Sequence, residues 1–267
     1  VRSVRLGRCG ITASALGLGA VKIGRREKVK YPQPYELPSD DTLRELFAAA
    51  LDSGVDLIDT APAYGTSEER IGRLMRAESW FGSRAAWIVS TKAGEFFAHG
   101  ESTYDFRPET LKASVHESCR RLGTDYLDIV LLHAHRDDAG IMRERGALDT
   151  LLELRGQGVI RAAGLSAQSV EGGLMALEAG ADVLMITLNA DDLTQLPLVE
   201  AATSRDAGIL VKKALLSGHI AGGEAGVREA LRAVLEATPP ERTAIILGTA
   251  SAEHLRADAR IFEALAG

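Results

Sequence analysis

Four polar side chains in the first half of the chain have the types and spacing for proton donation to a carbonyl oxygen. Residues 55–65 read Val-Asp-Leu-Ile-Asp-Thr-Ala-Pro-Ala-Tyr-Gly. Val55, Leu57 and Ile58 suit a buried strand, Asp59 ends the apolar run, and Pro62 and Gly65 force a turn that carries Tyr64. Lys92 closes the next apolar run, 86–92, and His133 closes the one after it, 127–133. A phenol is a weak acid with an unperturbed pKa of about 10. A neighbouring ammonium stabilises phenolate and lowers that value. Asp59 would hold Lys92 charged and in place, and His133 would orient the substrate oxygen. Taken singly, each residue has a plainer reading: a capping aspartate, a packed tyrosine, a solvated lysine, a satisfied core histidine. A lysine or histidine closing an apolar strand is nonetheless costly to bury without a partner. None of the four can deliver a hydride, so a redox reaction would require a cofactor.

The elements that must position these groups alternate along the chain. Ala15–Gly19 reads as a first buried strand. Helix 39–53 follows, capped by Ser39-Asp40-Asp41 and carrying Leu43, Leu46, Phe47, Ala50 and Leu51 at helical spacing. Strands are then expected at 55–60, 86–92, 127–133, 159–166, 182–188, 209–215 and 244–249. The helices between and after them are expected at 67–76, 108–122, 146–156, 169–179, 195–206, 226–237 and 251–265. Strict alternation at this length predicts one α/β domain over 1–267, a (β/α)8 TIM barrel with a short N-terminal hairpin. The alternative is an open doubly wound sheet. Its dinucleotide fingerprint is missing, because Gly17-x-Gly19 is followed by Lys22 where a third glycine would fall. In a barrel the site lies at the C-terminal ends of the strands, where Asp59, Lys92, His133, Ser166, Asn189, Lys212, Lys213 and Thr249 fall. Strand parity puts Ile88, Ser90 and Lys92 on one face, and Ile129, Leu131 and His133 on another.

Composition narrows the class. The chain has 267 residues, 46% hydrophobic and 25% charged, with a net charge of −6. That balance gives no basic footprint for nucleic acid. No apolar run approaches the roughly 18 residues of a membrane span. The first residues lack a signal-peptide apolar block, and the two cysteines, Cys9 and Cys119, are too far apart for a zinc motif. A cytoplasmic protein acting on a small molecule is the expectation.

The segments Asp59-Thr60-Ala61-Pro62-Ala63-Tyr64-Gly65, Ser90-Thr91-Lys92 and Leu131-Leu132-His133 resemble the signature of the aldo-keto reductase superfamily. Ser67-Glu68 fits it too, and the likeness runs from the opening Leu6-Gly7-Arg8-Cys9-Gly10-Ile11 to Gly248-Thr249-Ala250-Ser251. The resemblance implies a (β/α)8 barrel with the catalytic tetrad Asp59, Tyr64, Lys92 and His133. It also implies an NADPH cofactor, with NADH possible, and a carbonyl or alcohol substrate. The cofactor residues it implies are Gly19, Asp59, Ser166, Lys212, Lys213, Leu215, Ser217, Gly218, Gly248, Thr249, Ser251, His254 and Asp258.

Departures from the family pattern fall on the cofactor side. Ser166-Ala167 stands where the family often has Ser-Asn, and Met185 where it has a Gln. Lys212 replaces a stacking aromatic residue. Gly248, Thr249 and His254 replace Lys, Ser and Arg around the 2′-phosphate, and Asp258 replaces an Asn. Lys212 or Lys213 would supply charge to the pyrophosphate. Competing readings are a metal-dependent hydrolase using His133 and His135 with Asp137 and Asp138, a Schiff-base aldolase using Lys212 or Lys213, and a non-catalytic barrel that binds cofactor or a partner. Loops 25–38, 93–107 and 134–145, with Tyr31, Tyr35, Phe96, Phe97, Tyr104 and Phe106, are the expected pocket walls.

Overall fold

The chain begins with an antiparallel hairpin, β1 (Ser3–Arg5) and β2 (Thr12–Ser14), and then enters β3 (Leu16–Gly19), β4 (Leu57–Asp59) and β5 (Ile88–Ala93). A second hairpin follows, β6 (Glu95–Ala98) and β7 (Glu101–Tyr104), and then β8 (Leu127–Leu132), β9 (Ile160–Ser166), β10 (Val183–Thr187), β11 (Gly208–Lys212) and β12 (Thr243–Leu247). Strands β3, β4, β5, β8, β9, β10, β11 and β12 pair in parallel and close into a barrel, β12 meeting β3. This computed structural model describes all residues except 78–80, 82, 145 and 267.

The helices that return the chain between strands are α2 (Asp40–Asp52), α3 (Ser67–Ala77), α4 (Pro108–Leu122), α6 (Ala147–Gly156), α7 (Val170–Glu178), α8 (Pro197–Ser204), α9 (Gly223–Ala237) and α10 (Ala252–Ala266). Two short ones, α1 (Val21–Gly24) and α5 (Asp138–Arg143), lie in loops. Local chemistry explains their ends. Ser39 caps α2 by accepting from the Thr42 N–H at 3.1 Å. Pro108 opens α4, and Gly123, left-handed at φ 70°, closes it. The barrel strands are buried on both faces, apart from Arg161 on β9 and the half-buried Lys212 at the end of β11, as a parallel sheet requires. Each buried Leu, Ile or Val contributes about 1.5–3 kcal/mol relative to exposure.

The N-terminal hairpin sits at the end of the barrel where the strands begin. The Arg5 N–H donates to the Glu241 carbonyl, just ahead of β12, and Gly7 pairs with Ala207, just ahead of β11. Leu6 and Ile11 are wholly buried there.

Three expectations are corrected. The loop 93–107 contains the β6–β7 hairpin, and the loop 134–145 contains α5. The seventh barrel strand stops at Lys212 rather than 215, because Lys213 turns left-handed at φ 60°. Lys213 and Leu215 therefore lie in the loop beyond it.

Candidate active site

The register of three neighbouring strands brings three of the four expected groups, Asp59, Lys92 and His133, to one mouth, and the loop after β4 adds Tyr64. Asp59 pairs with Ser90, and Lys92 with Leu131. Side chains on β5 alternate. Thr91 faces outward and donates to Glu68 Oε1 at 2.7 Å, while Ser90 and Lys92 face inward onto Asp59. Lys92 Nζ reaches Asp59 Oδ1 at 2.8 Å and Oδ2 at 2.7 Å, and it donates to the Thr60 carbonyl at 2.8 Å. His133 stands one residue past β8, its N–H donating to the Ala93 carbonyl at 2.8 Å, so the ladder extends to it.

Tyr64 comes from the loop between β4 and α3. Its N–H closes a turn onto the Ala61 carbonyl, and its own carbonyl accepts from Ser67 N–H. This loop is clamped against α1 at two glycines. A Cβ on Gly24 would stand 2.4 Å from the Tyr64 carbonyl oxygen, and one on Gly65, at φ 62°, would stand 2.2 Å from the Gly24 oxygen. The Lys92 ammonium lies 4.8 Å from the centre of the Tyr64 ring. The Tyr64 and His133 rings meet edge to face at 5.9 Å.

Electrostatics assign protonation states to the set. Burial alone would lower the Lys92 pKa, but the Asp59 carboxylate and the Tyr64 phenol outweigh it and the net shift is upward. Burial raises the Tyr64 phenol, Lys92 pulls it back only in part, and Asp59 pushes it up again. This reverses the net lowering expected from the sequence. The lysine acts in the expected direction, but desolvation is larger, so Tyr64 holds its proton at neutrality. Burial also lowers His133, against the opposing pull of Glu95.

The residues expected to hold a cofactor lie around the ends of β9, β11, β12 and β3. Lys212, expected with Lys213 to supply charge to the pyrophosphate, is held across the mouth toward β9. Its Nζ donates to Ser166 Oγ at 2.9 Å and to the Ala167 carbonyl at 3.1 Å. Burial first, then Lys213 and Lys92, pushes its pKa down to about 7. Lys213 lies beyond the strand, with its carbonyl accepting from Asn189 Nδ2 at 3.2 Å. After Leu215 comes a left-handed run, Leu216, Ser217 and Gly218, at φ 49°, 56° and 87°. Gly19 packs against β12, where an added Cβ would meet Ile246 at 3.1 Å. Gly248 is covered by Tyr31, whose hydroxyl would stand 2.5 Å from a Cβ there. Thr249 Oγ1 accepts from Ser251 N–H, and Ser251 Oγ accepts from His254 N–H at the start of α10. Asp258 is buried, and desolvation pushes its carboxyl up to about 6.

The geometry adds residues that the sequence did not single out. Gln195 is buried, takes the Thr187 N–H on its Oε1 and donates to the Ala167 carbonyl at 3.3 Å. Glu95 stands against His133, with Oε2 2.8 Å from Nδ1. The Arg25 guanidinium packs over the Phe97 ring and donates to the Ala63 carbonyl, joining the β6–β7 hairpin to the Tyr64 loop. The hairpin thus borders the mouth through Glu95, while Phe97 packs on Arg25 and Tyr104 and Phe106 pack on His135.

The residues of the metal-hydrolase alternative are engaged otherwise. His135 packs edge-on against Tyr104 and Phe106, and its Nδ1 accepts from Asp137 N–H. Asp137 caps α5, and Asp138 is fully buried, accepting from Gln168 N–H, Ser169 N–H and Ser169 Oγ. Among the described residues, no group of three or more His, Cys, Asp or Glu could hold a metal ion. Among them, too, no helix is long and apolar enough to cross a membrane.

A model of the Aldo/keto reductase family matches residues 15–231. The D-threo-aldose 1-dehydrogenase of a Pseudomonas species is 29% identical over 242 residues, covering 80% of this chain and 70% of that protein. The D-arabinose 1-dehydrogenase of Saccharomyces cerevisiae is 32% identical over 142 residues, 52% of this chain but only 39% of the relative. A crystal structure of a Pseudomonas aeruginosa protein described as an aldo-keto reductase superposes with a TM-score of 0.86 at 37% identity, covering 99% of this chain and 96% of that one.

Proposed function

The chain belongs to the aldo/keto reductase family of oxidoreductases, and from that premise we propose that it interconverts a small-molecule carbonyl and its alcohol, with Tyr64 as general acid and base. The observation that carries this is the Lys92 ammonium, fixed on Asp59 and set against the Tyr64 ring. A nicotinamide cofactor supplies or accepts the hydride. In reduction, Tyr64 Oη gives its proton to the oxygen of the carbonyl. The phenolate left behind is stabilised by Lys92, whose own charge Asp59 secures. His133 orients the same oxygen. In oxidation the tyrosinate takes the proton back.

The donor set suits the cofactor. Ser166, the Ala167 carbonyl, Gln195 and Lys212 offer both donors and acceptors to an amide. The left-handed loop at Leu216, Ser217 and Gly218 and the N-terminus of α10 suit phosphate oxygens. Gly248 and His254 bring no fixed cation to a 2′-phosphate, and the ionised Asp258 carboxylate disfavours one. NADPH and NADH are therefore proposed to bind with weak discrimination, each lost charge-assisted contact being worth on the order of 1–3 kcal/mol. The two relatives are named for oxidation of sugars at C1, which makes aldoses a first substrate class beside simple aldehydes. Turnover of an aldehyde and aldose panel with both cofactors, read by nicotinamide absorbance, tests the proposal. No turnover with either cofactor on any member would reject it.

A further inference from the structure

With Tyr64 and His133 taken as the pair that meets the substrate oxygen, as proposed above, one buried charge at the mouth has no role: Glu95. It is the first residue of β6. Gly94, at φ 104°, ends β5, and the Phe106 ring would lie 2.2 Å from a Cβ there. The chain doubles back at this point and returns Glu95 to the mouth, where it is 9% exposed. Its Oε1 accepts from Ser102 Oγ at 2.6 Å across the hairpin, and its Oε2 stands 2.8 Å from His133 Nδ1. Nδ1 is buried and makes no aligned hydrogen bond, and Glu95 Oε2 is the carboxylate oxygen that stands beside it.

A neutral imidazole carries one proton on one of two nitrogens, and its neighbour decides which. A carboxylate beside Nδ1 stabilises the proton there and leaves Nε2 bare. We propose that Glu95 is a positioning residue that sets the polarity of His133, holding Nδ1–H and presenting Nε2 to the substrate oxygen. Neutral His133 then accepts a hydrogen bond from an alcohol substrate, and protonated His133 donates one to a carbonyl.

The charged and titratable groups facing this pair are Lys92 from β5, Lys212 from β11, Tyr64 from the loop after β4, Arg25 after α1, and Tyr104 from β7. Burial alone would raise Glu95, but His133, Ser102 and Arg25 hold it at about 2. Glu95 is therefore a carboxylate throughout the working range, so within the pair only His133 changes charge, while Lys212, pushed down to about 7, titrates beside it and is held apart by the residue-specific NMR signal. Carbonyl reduction should fall as pH rises through the His133 pKa, and alcohol oxidation should rise with it.

The test is heteronuclear NMR of protein labelled with 15N-histidine, its His133 signals identified by their loss in His133→Gln. The parent is expected to carry the proton on Nδ1 and to leave Nε2 bare above the His133 pKa. Glu95→Gln keeps an acceptor but loses the charge. It should retain this tautomer and titrate roughly one pH unit lower. Glu95→Leu should lose the tautomer. In kinetics, Glu95→Gln should cut kcat roughly tenfold to a hundredfold, part of the 10²–10⁴-fold that a positioned acid–base group supplies, and move the pH limb with the NMR titration. A parent with Nε2 protonated, or a Glu95→Gln protein with an unmoved His133 pKa, would overturn the proposal. The spectra need no turnover, so an inactive parent would sink the reductase reading and leave this result to stand by itself. If Glu95→Leu does not fold, the parent and Glu95→Gln spectra still decide.

Discussion

The Lys92 ammonium straddles both carboxylate oxygens of Asp59, at 2.8 and 2.7 Å, with 1% and 5% of the two side chains exposed. Breaking such a pair from one side leaves a buried charge uncompensated. Asp59→Asn should destabilise the protein by about 3–5 kcal/mol, and adding Lys92→Met should recover part of that loss. Urea midpoints of the parent, the single variants and the double variant measure the coupling. Additive losses would mean that the pair is not coupled.

Tyr64→Phe should lower kcat by about 10²–10⁴-fold while leaving cofactor binding nearly unchanged. The ring contacts with His133 and Lys92 survive the substitution. Steady-state kinetics and a cofactor titration by fluorescence separate the two effects, and unaltered kcat would remove Tyr64 from the chemistry.

Gly24→Ala should reach the site from outside it. The added methyl would stand 2.1 Å from the Ser67 nitrogen and 2.4 Å from the Tyr64 oxygen. Overpacking costs typically about 1–3 kcal/mol, and here it also displaces Tyr64. Thermal melts and kcat should both drop, the second more than the stability loss explains.

Lys212 carries a pKa depressed to about 7. The folded state therefore resists its charge. That cost is fully present below pH 7 and fades as pH rises toward the unfolded value of about 10.4. Lys212→Met should be more stable than the parent by about 1–3 kcal/mol near pH 6. The gap should close by pH 10, as read from melting temperatures across that range.

Asp258 behaves in the opposite sense, with its carboxyl raised to about 6. The stability it allows is intact below pH 4 and is lost as pH rises through 6. After discounting for solvent screening, Asp258→Asn should gain about 1–2 kcal/mol at pH 7–8 and nothing near pH 4. Denaturation curves at the two pH values check the sign. The same variant should bind NADPH more tightly relative to NADH.

The barrel was legible because buried parallel strands leave near-continuous apolar runs, and because period-two alternation placed Ser90 and Lys92 inward. The ends of those runs placed Asp59, Lys92 and His133 at one mouth, with Tyr64 in the loop after the first; their catalytic roles came from the family resemblance. The β6–β7 hairpin was missed because most of its residues are exposed and carry no apolar alternation. Its one local signal was His99-Gly100, both at positive φ (52° and 79°), the pattern of a two-residue hairpin turn. Glu95 was invisible for the same reason, since only the hairpin returns it to His133. Lys212 was visible as a lysine at a strand end, but its reach across to Ser166 is a tertiary choice that no neighbour in sequence dictates. The end of β11 depended on a left-handed Lys213, a backbone state that lysine gives no reason to expect.

The turn that pairs Gly7 with Ala207 buries Leu6 and Ile11 against the end of the barrel where the strands begin. The barrel interior between the two ends is filled with side chains. Foundation and workplace are therefore separated along the barrel axis. Trimming Leu6 or Ile11 to Ala should lower the melting temperature, by about 2–5 kcal/mol of stability, and leave the reacting groups around Tyr64 where they are.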